Sequence, residues 1–171
     1  MRKYLSAAVL TAVVLFAGTG CGYRIGFIKH PQLNSIAVAP AVNETAIYNA
    51  ASDMRFMMNE VIMQDGTFKL SDQKRADAIL YLTVQDISFA DVSDAVVEHD
   101  NRYKPEEWQV RVTVDYKLMI PGQGKPLLTG KCVGSTRFQA PSDIETSRLT
   151  AVRQACYDTA KKITYAIAEG W

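Results

Sequence analysis

Residues 108 to 118 read WQVRVTVDYKL, and every second side chain is apolar: Trp108, Val110, Val112, Val114, Tyr116 and Leu118 alternate with Gln109, Arg111, Thr113, Asp115 and Lys117. A two-residue period is that of a β-strand, whose successive side chains point to opposite faces of a sheet. Such a strand buries one face and leaves the other wet. Other parts of the chain must therefore supply neighbouring strands and a cover for the apolar side.

The flanking segments read as both. "PGQGKP" (Pro121–Pro126) turns the chain, and Leu127 to Phe138 returns as the hairpin partner. Upstream, "ADAILYLTVQDISF" (Ala76–Phe89) is rich in β-formers, and "SIAVAP" (Ser35–Pro40) is a short strand ended by proline. Two segments keep helical spacing instead. Met54, Met57, Met58, Val61 and Ile62 share one face of a helix over Ala50–Asp65, with Gly66 placed to cap its C-terminus. A methionine-rich face can serve as a promiscuous binding groove, but helix core is its commoner use. Leu149, Val152, Cys156, Ala160, Ile163 and Ile167 form an apolar stripe on a last helix, from about Glu145 to Glu169. The order is β-α-β-β-β-α. Two one-faced helices and a one-faced sheet predict an α+β fold: a two-layer sandwich with both helices on one face of a four-stranded, mostly antiparallel sheet.

The opposite sheet face would carry Arg111, Thr113, Asp115, Lys117, Thr129, Lys131, Ser135 and Arg137. That is four basic residues against one acidic, in a chain with 19 basic and 18 acidic residues overall. It is either an ordinary solvated face or a surface for an anionic partner. A nucleic-acid partner is not expected, because it would show as a strong basic excess.

The N-terminus has its own grammar. Arg2 and Lys3 are followed by no charge until Arg24, and "YLSAAVLTAVVLFAGTG" runs into Cys21. A basic start, an apolar stretch and small residues make a secretory signal. The uncharged run is about long enough to span a bilayer, though Gly18, Gly20 and Gly22 weaken its end as a helix. A cysteine directly after the small residues fits a bacterial lipoprotein signal, with Cys21 as the first mature residue and the site of acylation; Gly18 stands where that signal usually has a larger aliphatic residue. The expected organisation is a signal over 1–20, a lipidated N-terminus and short tether over 21–34, and a single α+β domain over 35–171. Without Arg2 and Lys3 the balance is 17 basic against 18 acidic residues.

Cys132 and Cys156 then remain. In an exported chain they are a disulfide candidate, and both fall on inward positions of their elements; the alternative is a pair of buried thiols acting as small hydrophobes. His30 and His99 sit in no metal-ligand pattern, and no glycine-rich phosphate loop follows a strand. Asp86, Asp91, Asp94, Glu98 and Asp100 are read as clustered in one solvated loop, with an enzyme on cell-envelope polymers as the competing use. No catalytic residue and no metal site is assigned, and no cofactor is expected beyond covalent diacylglycerol and N-acyl lipid on Cys21.

"CGY" (Cys21–Tyr23) precedes "SIAVAP", "VNET" (Val42–Thr45) follows it, "ADAILYL" opens the next strand, and a Tyr- and Val-rich hairpin leads to the last helix. This ordered set resembles the LPS-assembly lipoprotein family, LptE, over nearly the whole mature chain. The resemblance implies two helices on a four-stranded sheet, with Cys21 as the lipidated residue. It implies anchorage in the outer membrane, where Gly22 replaces the aspartate that would signal inner-membrane retention. It further implies a seat inside a large β-barrel of the LptD type, as plug and assembly partner, and binding of lipopolysaccharide. Arg111, Lys117, Lys131 and Arg137 would then meet the barrel or LPS phosphates, which guanidinium groups pair bidentately. A competing assignment is an outer-membrane activator of a peptidoglycan synthase or a secretion-channel lipoprotein. Such proteins begin similarly, but the tether Gly22–Asn34 is short for reaching an inner-membrane synthase.

Overall fold

The computed structural model describes residues 33–92, 107–139 and 144–169; the expected signal, Cys21 and most of the acidic loop lie outside them. The elements are β1 (Ser35–Val38), β2 (Val42–Asn43), α1 (Ala50–Asp65), β3 (Lys69–Leu70), β4 (Ala78–Asp91), β5 (Glu107–Met119), β6 (Leu128–Gln139) and α2 (Ile144–Glu169). The strand order is β3-β1-β4-β5-β6, with β2 pairing β4 beyond the end of β1. The fold is α+β with two helices, as expected, but the sheet has six strands rather than four, and it is mixed. β4–β5 and β5–β6 are antiparallel, whereas β1–β3, β1–β4 and β2–β4 are parallel. The two extra strands are two residues long, too short to show a period. Helix α1 carries the chain from β1 and β2 across to β3 and β4, and a crossover of this kind is what permits parallel pairing.

Both helices cover the same face. Helix α1 lies by β1, β3 and β4, and α2 lies over β5 and β6 and along α1. One apolar cluster fills the space, including Met54, Met58 and Ile62 from α1, Leu80, Leu82 and Val84 from β4, Val110, Val112 and Val114 from β5, and Cys156, Ile163 and Ile167 from α2. Met54, Met57 and Met58 of α1 are thus core, while Met63 is exposed. Gly66 caps α1 in the left-handed conformation at φ 69°, its N–H donating to the Ile62 carbonyl. Leu149, expected on the buried stripe of α2, is 52% exposed, because the first turns of that helix stand away from the sheet's core. The helices are also tied by polar contacts: Arg153 donates from both Nε and Nη2 to Asp53 Oδ1, and Tyr157 Oη donates to Gln64 Oε1 at 2.9 Å.

Strand β4 contains a bulge. Val84 pairs with Val114 and Asp86 with Thr113, so Gln85 has no partner opposite. The alternation that buries Leu80, Leu82 and Val84 would, carried straight on, bury Asp86 and expose Ile87 and Phe89. The extra residue resets the parity, and Ile87 and Phe89 pack on the core.

Two short motifs prove to be structural locks. Asp77 Oδ2 accepts from the Asn34 N–H, the Ser35 N–H and the Ser35 hydroxyl at 2.9–3.0 Å, while Asp77 N–H donates back to Ser35 Oγ at 3.1 Å. This clamp sets the start of β1 against the start of β4. In "NET", Asn43 Oδ1 accepts from the Thr45 N–H and hydroxyl, and Asn43 Nδ2 donates to the Ile47 carbonyl at 2.8 Å, folding the turn between β2 and α1.

Candidate functional site

The outer sheet face is built by register. Across β4, β5 and β6 its rows run Tyr81–Lys117–Thr129, Thr83–Asp115–Lys131, Asp86–Thr113–Val133, Ser88–Arg111–Ser135 and Ala90–Gln109–Arg137, ending with Glu107–Gln139. All four expected basic residues therefore do share this face. Their surroundings differ from expectation. Lys131 pairs with Asp115 at 3.6 Å and Arg137 with Glu107 at 3.8 Å, while Arg111 Nη2 donates to Gln109 Oε1 at 3.0 Å. Strand β4 adds Asp86 to the same face, so four basic side chains meet three acidic ones, Asp86, Glu107 and Asp115. Both ion pairs have the basic partner 61% exposed, and pairs this open contribute well under about 1 kcal/mol. They can be exchanged for a partner's groups at little cost.

Sequence periodicity missed the apolar part of this face. Tyr81 (43% exposed) and Val133 (45% exposed) point outwards, with Ile79 paired to Met119 at one end. For Tyr81 and Ile79 the missing signal is the bulge: no single parity runs through β4, so its wet side could not be chosen from the sequence. Val133 shares the parity of Lys131 and Ser135 on β6, so its outward place was within reach of the alternation. A second basic place also escaped notice. Arg55, Asn59, Ser71, Asp72 and Arg75 line a polar groove of about 430 Å³ between α1 and β3.

Cys132 and Cys156 are both free thiols. Helix α2 runs antiparallel to β6: Asp158 meets Ser135, and Lys162 meets Val133. Val133 is therefore level with Lys162 and Cys132 lies one strand residue beyond it, whereas Cys156 sits six helix residues before Lys162, about 9 Å back along the helix axis. A disulfide needs Cα atoms within about 7 Å. Burial raises the Cys132 thiol, with the Lys162 charge opposing it, and burial pushes the Cys156 thiol up to about 12, reinforced by Asp53. Both stay protonated at neutral pH and are poor nucleophiles.

The same helix seals an edge. β6 is the last strand, and an edge strand presents unpaired backbone groups. Asp158 Oδ2 accepts from the Ser135 N–H at 3.0 Å, Lys162 Nζ donates to the Val133 carbonyl at 2.9 Å, and Lys162 and Asp158 pair at 2.8 Å. Burial would raise the Asp158 carboxyl, but the bonds from Lys162 and from the Ser135 N–H, with the lysine charges, hold it below its ordinary value of 3.8. A carboxyl lowered by folding stabilises the fold above that value and loses the contribution as pH falls through it. In urea melts, the stability gap between wild type and Asp158→Asn should hold from neutral pH to about pH 5 and shrink towards about pH 3. A gap unchanged at the acid end would mean the carboxylate is not what holds the edge.

Beyond Ser135 the helix diverges. Thr136, Arg137, Phe138 and Gln139 of β6 face Thr146, Ser147, Thr150, Ala151 and Gln154 of α2 across an open groove of about 340 Å³. Phe138 meets Phe89 edge-on at 6.3 Å, and the Arg148 guanidinium lies 4.9 Å over the Phe89 ring. Among the described residues, no group of three His, Cys, Asp or Glu side chains is placed to hold a metal ion, and no helix is long and apolar enough to cross a membrane. Cys21 lies outside the described residues.

Solved structures of similar fold include a Caulobacter crescentus protein described as a lipoprotein (18% identity, TM-score 0.51, covering 77% of this chain and 87% of that one). PelC of Paraburkholderia phytofirmans, solved as a dodecamer, gives 13% identity and a TM-score of 0.51 over 84% of this chain and 94% of that one. A minor lipoprotein of Acinetobacter baumannii gives 13% identity and a TM-score of 0.50 over 81% and 94%. Identities this low establish a shared fold. No curated protein sequence is matched. The family model of LptE, lipopolysaccharide-assembly, matches residues 33–167, from the buried Leu33 to the buried Ile167, and the chain belongs to that family.

Proposed function

We propose that this chain is a non-enzymatic outer-membrane lipoprotein of lipopolysaccharide assembly, held on the periplasmic side by acyl chains on Cys21. In this reading it plugs and helps assemble a large β-barrel of the LptD type, and it binds lipopolysaccharide. The observation that carries this is the family match, which runs from the start of β1 to the last turn of α2 and so takes in the whole described fold. Two or more acyl chains make a stable anchor where one does not, and the short tether keeps the domain close to the membrane that holds it.

The outer sheet face suits the proposed seat. Its rows mix hydroxyls, charges in weak pairs, and the exposed Tyr81 and Val133, which is the mixture a polar barrel wall with scattered apolar contacts would complement. Among the described residues Lys117 and Arg111 are in no ion pair with a carboxylate, which leaves them able to meet a phosphate or a barrel carboxylate. The test is affinity purification of the full-length lipidated chain from outer-membrane extract with mass spectrometry. Wild type should bring down a large barrel in stoichiometric amount, and Arg111→Glu with Lys117→Glu should lower that recovery or LPS binding by about tenfold, as loss of one or two charge-assisted contacts implies. Recovery of a penicillin-binding protein in place of the barrel would overturn the assignment. Full retention of both activities in the charge-reversed chain would leave the face merely solvated.

A further inference from the structure

The edge of β6 is treated differently in its two halves. A strand residue points its N–H and C=O to the same side, and the Ser135 N–H and Val133 carbonyl both point away from β5, towards α2. By alternation Arg137 and Gln139 also present their backbone groups to that open side, while Thr136 and Phe138 bond to β5. At Val133 and Ser135 the helix itself stands in for a neighbouring strand: Lys162 Nζ supplies a donor where a strand would place an N–H, and Asp158 Oδ2 supplies an acceptor where it would place a carbonyl. At Arg137 and Gln139 no such substitute is present among the described residues. There the helix has moved off, and the 340 Å³ groove opens alongside the strand.

We propose that this groove receives one extended segment of the barrel partner, which adds to the sheet antiparallel or parallel along Arg137–Gln139. The inference rests on the partner assignment made above. The occupant's form follows from the chemistry of the site. The vacant ladder positions are an alternating donor and acceptor row, which an extended backbone fills in register and a helix does not. The groove floor is Phe138 and Ala151, and its walls are the uncharged Thr136, Ser147, Thr150 and Gln154. One side chain of the incoming segment would rest on the floor, small or aliphatic in kind, between polar walls that satisfy its flanking amides. Arg137 at the rim, 61% exposed and held by its weak pair with Glu107, favours an acidic residue on the segment's outer side that takes over that pairing.

Proline tests this directly. At Arg137 and Gln139 it removes an N–H that faces the groove and leaves the β5–β6 bonds intact, and edge strands tolerate it. The full-length chain carrying Arg137→Pro and Gln139→Pro should recover about tenfold or more less barrel than the chain carrying Arg137→Ala and Gln139→Ala, since two donors are lost and the side chains are lost equally. LPS binding should be equal in the two. Thr150→Trp, on an exposed helix position, fills the groove while leaving the β6 residues unchanged and should give the same loss, so the test survives if the prolines unfold the domain. A wild-type chain that recovers no barrel defeats the partner assignment and the inference with it. A wild-type chain that does recover it, with the proline and tryptophan chains equal to their controls, defeats the inference alone. So does a purified domain that dimerises through this edge and becomes monomeric on proline substitution, since the groove would then take a second copy.

Discussion

Gly134→Ala is expected to be among the most damaging single-methyl additions to this domain, costing about 3 kcal/mol and lowering the melting temperature by about 10 °C. A Cβ at Gly134 would overlap the Thr159 hydroxyl and stand 2.5 Å from the Ala155 carbonyl and 2.6 Å from the Thr159 amide nitrogen. Those last two are helix backbone, which cannot rotate aside. The helix would have to lift, and lifting it strains the contacts on either side, Asp158 to Ser135 and Lys162 to Val133. Two other glycines calibrate the effect. At Gly130 the three atoms nearest the added carbon all belong to the Tyr116 side chain, which can tilt, so the cost should be smaller. At Gly124 it meets nothing within 4 Å and the change should be nearly silent. A Gly134→Ala protein that melts with wild type would show that helix and strand do not approach this closely.

Asp77→Ala should cost nearly as much, about 2–3 kcal/mol, because one carboxylate oxygen serves three donors at the start of β1. Removing it leaves the Ser35 N–H and hydroxyl part-buried without their acceptor. The expected signature is a lower urea midpoint with an unchanged slope, since the folded and unfolded surfaces stay the same. Asp77→Asn, which keeps an acceptor and loses the charge, should recover part of the loss. Ser35→Ala should add little to Asp77→Ala, since the two act through one cluster. Full additivity of the pair would mean the clamp is not a unit.

What the sequence made legible follows from how strongly each residue is constrained. The alternation in β5 was legible because its two faces meet core and solvent without interruption. Helix α1 and its Gly66 cap were legible for the same reason: one face buried, one terminus with a positive φ. β2 and β3 were hidden because two residues cannot display a period, and their pairing is set by the path of α1. The four basic residues of the outer face could be grouped by parity, yet their pairing with Asp115 and Glu107 depends on cross-strand register, which sequence alone does not supply. "VNET" and "AD" were legible as motifs and illegible as mechanism: both are backbone locks, so they speak for the fold and not for a ligand. The groove beside Gln139 had no signal at all, because it arises from the angle at which α2 leaves β6.

The bulge at Gln85 changes how this chain should be laid beside any other. Deleting Gln85 would leave Val84, Ile87 and Phe89 facing inward and Asp86 outward, as they face now, and would remove only the local bend. One residue can thus enter or leave the middle of this strand without re-dealing a single side chain. A relative with a regular strand here would match residue for residue only after a gap is opened inside the strand. That is the place where gaps are least expected, and a gapless comparison would set the second half of β4 out of step by one position.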